Sequence, residues 1–359
     1  MLSCASSFQL QPQHLGSGQV WWGSFRYDSL NTAKLDSDSN YPSGLLWEFK
    51  SGTPLTTTPL IRGNAAILAC GDKKVYILNT RTGKKLGQLS LPGPAIATPA
   101  LSGNVIYVGA GKNTKKLLAI NYLSGAAIWE RKLGEVTNSP VVSGNRLLVG
   151  TGEGTLFCLD KQNGSELWTF KSSEPIVSTP AVQGNRLYFG SLDGNLYCLD
   201  LSKGKEIWRY KTEAGVHTSP AMNDSLIFFG SVDNTFYCLS ADGIQKWSFK
   251  SEGAIYSSPA LDSGMVYFGS NDGFLYCLNA LTGELHWKFK SGSLVHSSPI
   301  VVGKWICFGS FDRNFYVLEK DTGKLIFNFQ TQGMISASPS YGAGRVFIGS
   351  EDKNIYCFE

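Results

Sequence analysis

Short apolar runs separated by polar turns fill the chain from residue 45 to its end. In "RLYFGSLDGNLYCLD", for example, two runs of aromatic and aliphatic residues flank the turn sequence "LDGN". Runs of four to seven such residues, bounded by Gly, Asn and Asp, predict β-strands joined by tight hairpins. The hydrophobic pattern therefore predicts an all-β chain.

The pattern repeats with a period of forty residues. Each repeat contains a proline preceded by Ser or Thr, and these prolines are 39 to 41 residues apart: Pro59, Pro99, Pro140, Pro180, Pro220, Pro259, Pro299 and Pro339. A repeat of this length with four predicted antiparallel strands is typical of one β-propeller blade. Eight repeats predict eight blades.

The fourth strand of the repeat, marked by a Trp, predicts how the ring closes. Trp47 precedes the first Ser/Thr-Pro strand, whereas the sequence stops after a third strand, "NIYCFE". We therefore expect "LLWEFK" (residues 45–50) to complete the last blade, which would cover two strand edges. The prediction is one eight-bladed propeller of four-stranded antiparallel blades over residues 45–359, preceded by a leader and linker at residues 1–44.

Charge and hydropathy narrow the classes of partner. The net charge of +4 comes from 32 basic and 28 acidic residues spread along the chain. Without a basic block or stripe, no nucleic-acid partner is expected. No stretch of eighteen apolar residues occurs, so no transmembrane helix is expected.

Repeated side chains are interpreted as structural. One slot of the third strand holds a cysteine in five repeats (Cys158, Cys198, Cys238, Cys277 and Cys357) and Ile77, Ala119 or Val317 in the others. A slot that accepts these residues predicts buried free thiols. An acid recurs in the second turn of six repeats, which favours a turn-capping role. No catalytic residue, metal site or cofactor is predicted from these positions.

Departures from the repeat are candidates for function. Three residues before the proline, consecutive repeats carry His217, Tyr256 and His296. Because the first strand of a blade lines the channel of a propeller, these side chains are expected near one channel mouth. They would either form a polar ligand-binding patch or pack between blades with satisfied hydrogen bonds.

The leader contains a second set of candidates. Trp21, Trp22, Phe25 and Arg26 lie in an aromatic stretch that would either pack on the propeller or dock a partner. Further upstream, "MLSCASS" resembles the end of a bacterial lipoprotein signal. Cys4 is then either a lipidation site, which would be the only membrane attachment, or an ordinary residue.

The repeat unit "SSPA…YFGSxDGxLYCLDxxTGxxxWxFK" resembles the pyrroloquinoline-quinone-type propeller repeat over residues 45–359. The leader is similar to that of secreted bacterial members at six positions: Trp22, Phe25, Arg26, Asp28, Asn31 and Thr32. The resemblance implies one of two branches. Quinoprotein dehydrogenases hold the quinone and a calcium ion over the channel. The other branch is non-catalytic and includes the outer-membrane lipoprotein that scaffolds barrel assembly.

Three features of the catalytic branch are missing from the sequence: long loops on the cofactor face, adjacent cysteines and a non-repeating set of acids. The resemblance therefore implies a non-catalytic scaffold of the bacterial cell envelope, in the periplasm or at the outer membrane. Such a scaffold would bind protein partners in a membrane-associated complex. The alternative is a quinone- or small-ligand-binding propeller, including a quinoprotein-type oxidoreductase, that uses His217, Tyr256 and His296.

Overall fold

The computed structural model describes residues 10, 20–37, 41–111 and 113–359, and every regular element within them is a β-strand. Eight sheets of four or five strands form the blades of a ring. The prediction of an all-β, eight-bladed propeller is confirmed. Within the described residues no helix is long and apolar enough to span a membrane.

Three strands precede the first blade: β1 (Val20–Trp22), β2 (Lys34–Leu35) and β3 (Leu45–Lys50). Blades 1 and 2 contain β4 (Leu60–Arg62), β5 (Ala65–Cys70), β6 (Lys74–Asn79), β7 (Lys85–Ser90), β8 (Ala100–Ser102), β9 (Val105–Ala110), β10 (Lys116–Asn121) and β11 (Ala127–Lys132). Blades 3 and 4 contain β12 (Val141–Ser143), β13 (Arg146–Gly150), β14 (Thr155–Asp160), β15 (Glu166–Lys171), β16 (Ala181–Gln183), β17 (Arg186–Gly190), β18 (Asn195–Asp200) and β19 (Glu206–Lys211).

Blades 5 and 6 contain β20 (Ala221–Met222), β21 (Leu226–Gly230), β22 (Thr235–Ser240), β23 (Gln245–Lys250), β24 (Ala260–Asp262), β25 (Met265–Gly269), β26 (Phe274–Asn279) and β27 (Leu285–Lys290). Blades 7 and 8 contain β28 (Ile300–Val302), β29 (Trp305–Gly309), β30 (Asn314–Glu319), β31 (Leu325–Gln330), β32 (Ser340–Gly342), β33 (Arg345–Gly349) and β34 (Asn354–Phe358). In each blade the short first strand is innermost.

Strand β3 closes the ring as predicted. It pairs antiparallel with β34, placing Trp47 opposite Cys357 and Phe49 opposite Ile355. The indole N–H of Trp47 also donates to the carbonyl of Thr80 in blade 1 at 2.9 Å. The closing strand therefore completes blade 8 and joins it to blade 1.

Neighbouring blades interlock through a Trp and a Gly. Trp168 in blade 3 donates its indole N–H to the carbonyl of Leu201 in blade 4 at 2.9 Å. Its ring covers Gly204, where an added Cβ would lie 2.4 Å from a ring carbon. The same contact joins five further pairs: Trp47–Gly83, Trp129–Gly164, Trp208–Gly243, Trp247–Gly283 and Trp287–Gly323. The tryptophans thus pack the outer strands onto the next blade.

The repeated acid of the second turn does more than cap its own backbone. The Asp272 carboxylate accepts the N–H of Phe274 at 3.0 Å, which is the predicted turn contact. It also accepts the hydroxyl of Tyr276 at 2.7 Å and the N–H of Glu252 at 3.1 Å. Because Glu252 lies in the segment that enters blade 6, the acid ties this segment to the turn.

The seven cysteines within the described residues are buried free thiols, as the repeat slot predicted for five of them. Burial raises the pKa of Cys158 to about 11 and that of Cys198 to about 12. Because the thiolate is the nucleophile, these side chains serve as small core residues.

Candidate functional site

The channel is lined by a hydrogen-bonded ring of hydroxyl groups. In this ring the residue before the proline donates its backbone N–H to the hydroxyl at the same position of the next blade in six of the eight repeats. The distance is 2.8 Å from Thr179 to Ser219, 2.9 Å from Ser219 to Ser258 and 2.9 Å from Ser258 to Ser298. The repeated Ser/Thr-Pro pair therefore cross-links the blades around the channel.

The structure brings His217, Tyr256 and His296 together as one aromatic wall. The ring centroids of His217 and Tyr256 are 4.8 Å apart, and those of Tyr256 and His296 are 4.7 Å apart. Phe311 extends the wall, with its centroid 4.5 Å from that of His296. The side chains of His217, Tyr256 and His296 are half-buried.

Both histidines of the wall are held in the neutral form. Burial lowers the pKa of His217, and the neighbouring His296 lowers it further. Burial also lowers the pKa of His296, although Glu351 opposes this shift. The Nε2 atom of His296 is buried and has no hydrogen-bond partner within the described residues.

The hydroxyl ring and the aromatic wall enclose a cavity of about 220 Å³. Phe25 of the leader lines the same cavity. No carboxylate, lysine or arginine side chain is among the described residues that line it.

Arg26 closes the leader end of the channel. The residue is only 1% exposed, and its guanidinium donates to the carbonyls of Pro299 at 2.8 Å and Pro259 at 2.5 Å. The side-chain amide of Asn31 likewise donates to the carbonyls of Thr179 and Pro220, at 3.2 and 3.0 Å. Burial lowers the pKa of Arg26 to about 9, although the negative charge of Asp28 opposes the shift.

The leader backbone follows the inner strands around the ring. Its carbonyls accept N–H groups from the first strands of five blades, donated by Leu101, Val182, Met222, Leu261 and Val301. In addition β1 pairs antiparallel with β4, and β2 pairs in parallel with β28. The leader therefore covers one end of the channel, and Lys34 and Leu35 form a strand within the segment assigned to leader and linker.

A buried charge cluster anchors the end of this segment. The Asp262 carboxylate, on a 5% exposed residue, pairs with Lys34 of the leader at 2.8 Å and with Lys320 of blade 7. Burial would raise the pKa of Asp262, but hydrogen bonds from Lys320, Lys34 and Ser263 outweigh it and lower the pKa. This cluster could not be predicted from the sequence, because its members are far apart in the chain.

The structure places the candidate leader residues on the propeller. Trp22 is 1% exposed and its ring centroid lies 5.2 Å from that of Tyr27. The sequence left two alternatives for these residues, packing on the propeller or docking a partner. Trp22 and Arg26 are buried against the propeller, and Phe25 lines the channel cavity. The side chain of Trp21 and the whole of Cys4 lie outside the described residues. Asn31 was missed as a channel residue, since a single Asn in a leader carries no pattern.

The described residues do not fit the calcium ion of the dehydrogenase branch. Calcium takes six to eight oxygen ligands, chiefly carboxylates and carbonyls. The channel lining offers no carboxylate, and the carbonyls of Pro220, Pro259 and Pro299 already accept donors from the leader. Nor do the described residues contain a cluster of three or more His, Cys, Asp or Glu side chains suited to a metal ion.

Comparisons with known proteins agree with this architecture. A family profile described as "Beta-alanine-activating enzyme, beta-propeller" matches residues 134–359, and one described as "Outer membrane protein assembly factor BamB" matches residues 43–170. Outer membrane protein assembly factor BamB of Bordetella pertussis is 24% identical over 149 residues, 36% of this chain and 39% of the relative. Quinoprotein alcohol dehydrogenase PedH of Pseudomonas putida is 27% identical over 131 residues, 31% of this chain and 22% of the relative.

The matched stretches span less than half the length of these curated relatives. Among solved structures, BamB from Moraxella catarrhalis superposes with a TM-score of 0.76 at 20% identity, covering 88% of this chain and 99% of that one. At this identity the likeness establishes the fold alone. Because the first profile matches more than half of the sequence, the chain belongs to the β-propeller family of the beta-alanine-activating enzyme, within the pyrroloquinoline-quinone-type propellers.

Proposed function

We propose that this propeller is a non-catalytic scaffold that binds protein partners in a bacterial cell envelope, as a subunit of a membrane-associated complex. Similarity to outer membrane protein assembly factors from several bacteria supports this proposal. Lipidation of Cys4 would attach the chain to a membrane, and the location would be the periplasm or the outer membrane.

The observation that carries the proposal is that the reactive groups of the repeat are already engaged. The Asp272 carboxylate is bonded to a backbone N–H of its own turn, to Tyr276 and to the entering segment. The carboxylates of Asp193, Asp233, Asp312 and Asp352 make the same contacts. A carboxylate occupied in this way is a poor general base, because its lone pairs already accept hydrogen bonds.

The outer rim of blades 2 to 4 is the surface that best fits a protein partner. In the slot before the Trp, these blades carry Ile128, Leu167 and Ile207, which are 49%, 49% and 45% exposed. The same slot holds Lys246 in blade 5 and His286 in blade 6. Each aliphatic residue lies on an outermost strand, whose free edge can accept a strand from a partner. We call these three residues the rim row.

Quantitative affinity purification from native envelope membranes tests the proposal. The change is the triple variant Ile128→Lys, Leu167→Lys and Ile207→Lys, which places charge on the rim row without touching the core. We expect a partner that co-purifies with the wild type at a defined ratio to be lost from this variant. The matched control replaces three other exposed aliphatics, Ile244, Leu281 and Leu285, with Lys, and should retain the partner.

Equal retention by both triple variants would exclude the rim row as the docking surface. The alternative function, a quinone-dependent oxidoreductase, is tested on the same protein by titration with pyrroloquinoline quinone and calcium followed by dye-linked alcohol oxidation. Tight binding with turnover would overturn the scaffold proposal. Similarity to the quinoprotein alcohol dehydrogenase PedH is the reason for this assay. Because the channel lining contains no carboxylate, we expect no quinone-dependent turnover.

A further inference from the structure

The main-chain hydrogen-bond acceptors at the leader end of the channel are already occupied. Four main-chain carbonyls there, of Thr179, Pro220, Pro259 and Pro299, accept donors from Asn31 and Arg26. These oxygens would otherwise be the natural ligands of a cation on the channel axis. The leader therefore leaves this end of the cavity short of acceptors.

The hydroxyl ring, in contrast, is rich in donors. Six of its hydroxyl oxygens accept a backbone N–H from the preceding blade: Thr98, Thr179, Ser219, Ser258, Ser298 and Ser338. Within the described residues none of the six hydroxyl groups donates a hydrogen bond in return. Each O–H proton is thus available to a group on the channel axis.

A buried positive charge lies directly behind the floor of the cavity. Phe25 lines the cavity, and the next residue, Arg26, donates to the carbonyls that follow Ser258 and Ser298 of the ring. Within the described residues the Arg26 guanidinium forms no ion pair, and its Nε–H has no hydrogen-bond partner. The negative charge of Asp28 acts on Arg26 without forming an ion pair with it, and a bound anion would compensate the buried charge further.

We propose that the channel binds a small inorganic anion, held by the hydroxyl ring above Arg26, with His296 at the mouth of the site. The cavity of about 220 Å³ lies below the roughly 300–1,000 Å³ of pockets for drug-sized ligands, which favours a small guest. Hydroxyl donors that line a cavity next to a buried cation favour negative charge. This site is independent of the rim row.

Affinity for the anion should rise as the pH falls. His217 and His296 are neutral near pH 7, because burial lowers the pKa of each. Their protonation in acid adds positive charge at the mouth. The other charged or titratable groups around the site are Arg26 and Asp28 below, with Tyr256 and Glu351 at the mouth. Glu351 repels an anion, whereas its charge partly offsets the lowering of the pKa of His296 by burial.

Crystals of the full chain soaked in bromide or in selenate test the site, since both anions scatter anomalously. We expect an anomalous peak on the channel axis at the level of Ser258 and Ser298. Bromide and selenate distinguish a halide site from a tetrahedral oxyanion site. Bromide peaks on the outer surface alone, or a channel that contains only water with both anions, would overturn the proposal.

Bromide binding in solution, compared among matched variants, provides a second test. Bromide affinity, measured by the saturable rise in Tm at constant ionic strength, should weaken about tenfold in Ser258→Ala with Ser298→Ala, since bonds to a charged group are lost. His296→Phe should reduce the gain in affinity in acid to the part that His217 contributes, and His286→Phe on the rim should leave the gain intact. If the Ser variant fails to fold, the comparison of the two His variants still tests the proposal. Equal pH dependence in both His variants would exclude a contribution of His296 to anion binding.

Discussion

At the scale of single residues, the fold depends on contacts that repeat from blade to blade. A Trp covers a Gly of the next blade, and an Asp ties a turn to the segment entering its own blade. Such contacts are predictable from one sequence, because a forty-residue period aligns each residue with seven siblings. The position in the third strand that holds Cys, Ile, Ala or Val in different repeats is thereby predicted to lie in the core.

Gly204 tests the interlock between blades. Its φ of +67° already disfavours a side chain, and a Cβ there would lie 2.4 Å from the ring of Trp168. Gly204→Ala should therefore lower the free energy of unfolding by about 1–2 kcal/mol for the backbone and by about 1–3 kcal/mol more for the clash. The control is Gly184→Ala, which has a φ of +58° but nothing within 4 Å of the added Cβ.

Urea denaturation measures the free energy of unfolding of the two alanine variants. The control should lose only the backbone contribution, so the difference between the variants isolates the Trp contact. Equal losses for Gly204→Ala and Gly184→Ala would show that the Trp ring moves away without cost.

The leader is the element that the sequence could not place. Four of its non-glycine residues adopt positive φ angles, namely Arg26, Tyr27, Asn31 and Ala33. No local sequence pattern predicts this backbone course of the leader, because the inner strands and carbonyls of the blades determine it. Arg26 illustrates the difficulty. Its position beside aromatics left packing on the propeller and docking of a partner both open. In the structure, carbonyls at the channel end accept hydrogen bonds from Arg26 and Asn31 and make their burial favourable.

The charge cluster at Asp262 predicts how acid affects the leader. The pKa of Asp262 is lower in the folded protein than its ordinary value, so its pairing stabilises the fold above that value and is lost as the pH falls through the folded pKa. The protection of the Leu261 and Val301 N–H groups, which donate to the leader, should fall in that acidic range once the slower intrinsic exchange in acid is taken into account.

Asp262→Asn should remove this acid sensitivity and speed exchange at neutral pH, because Lys34 and Lys320 lose their shared partner. The cost should be about 1–3 kcal/mol of stability. Glu206→Gln, which removes an exposed pair with Arg209, serves as the control and should change little. Unchanged exchange in Asp262→Asn would show that the cluster does not hold the leader.

At the scale of the whole molecule, the ring is closed by one strand, β3. Its pairing with β34 covers the last strand edge of blade 8, and Trp47 reaches blade 1. This closure was predictable because the spare Trp-bearing strand and the incomplete last repeat complement each other. The choice of surface for partners was not, since exposure of Ile128, Leu167 and Ile207 depends on the assembled rim.

Two shortened chains test the closure. A chain that starts at residue 45 retains β3 and should remain monomeric, whereas one that starts at residue 51 exposes the edge of β34 and should associate. Both lack the leader, so the comparison isolates β3. Light scattering at increasing concentration measures the difference, and identical behaviour of the two chains would contradict a closing role for β3.

The central claim is that the propeller acts by holding a protein at the rim of blades 2 to 4. Site-specific photo-crosslinking in the native envelope, with the reactive residue at position 167 or at position 246, tests it most directly. The account predicts one discrete protein adduct from position 167 and none from position 246, the equivalent slot of blade 5. The same adduct from both positions, or an adduct from position 246 alone, would contradict it.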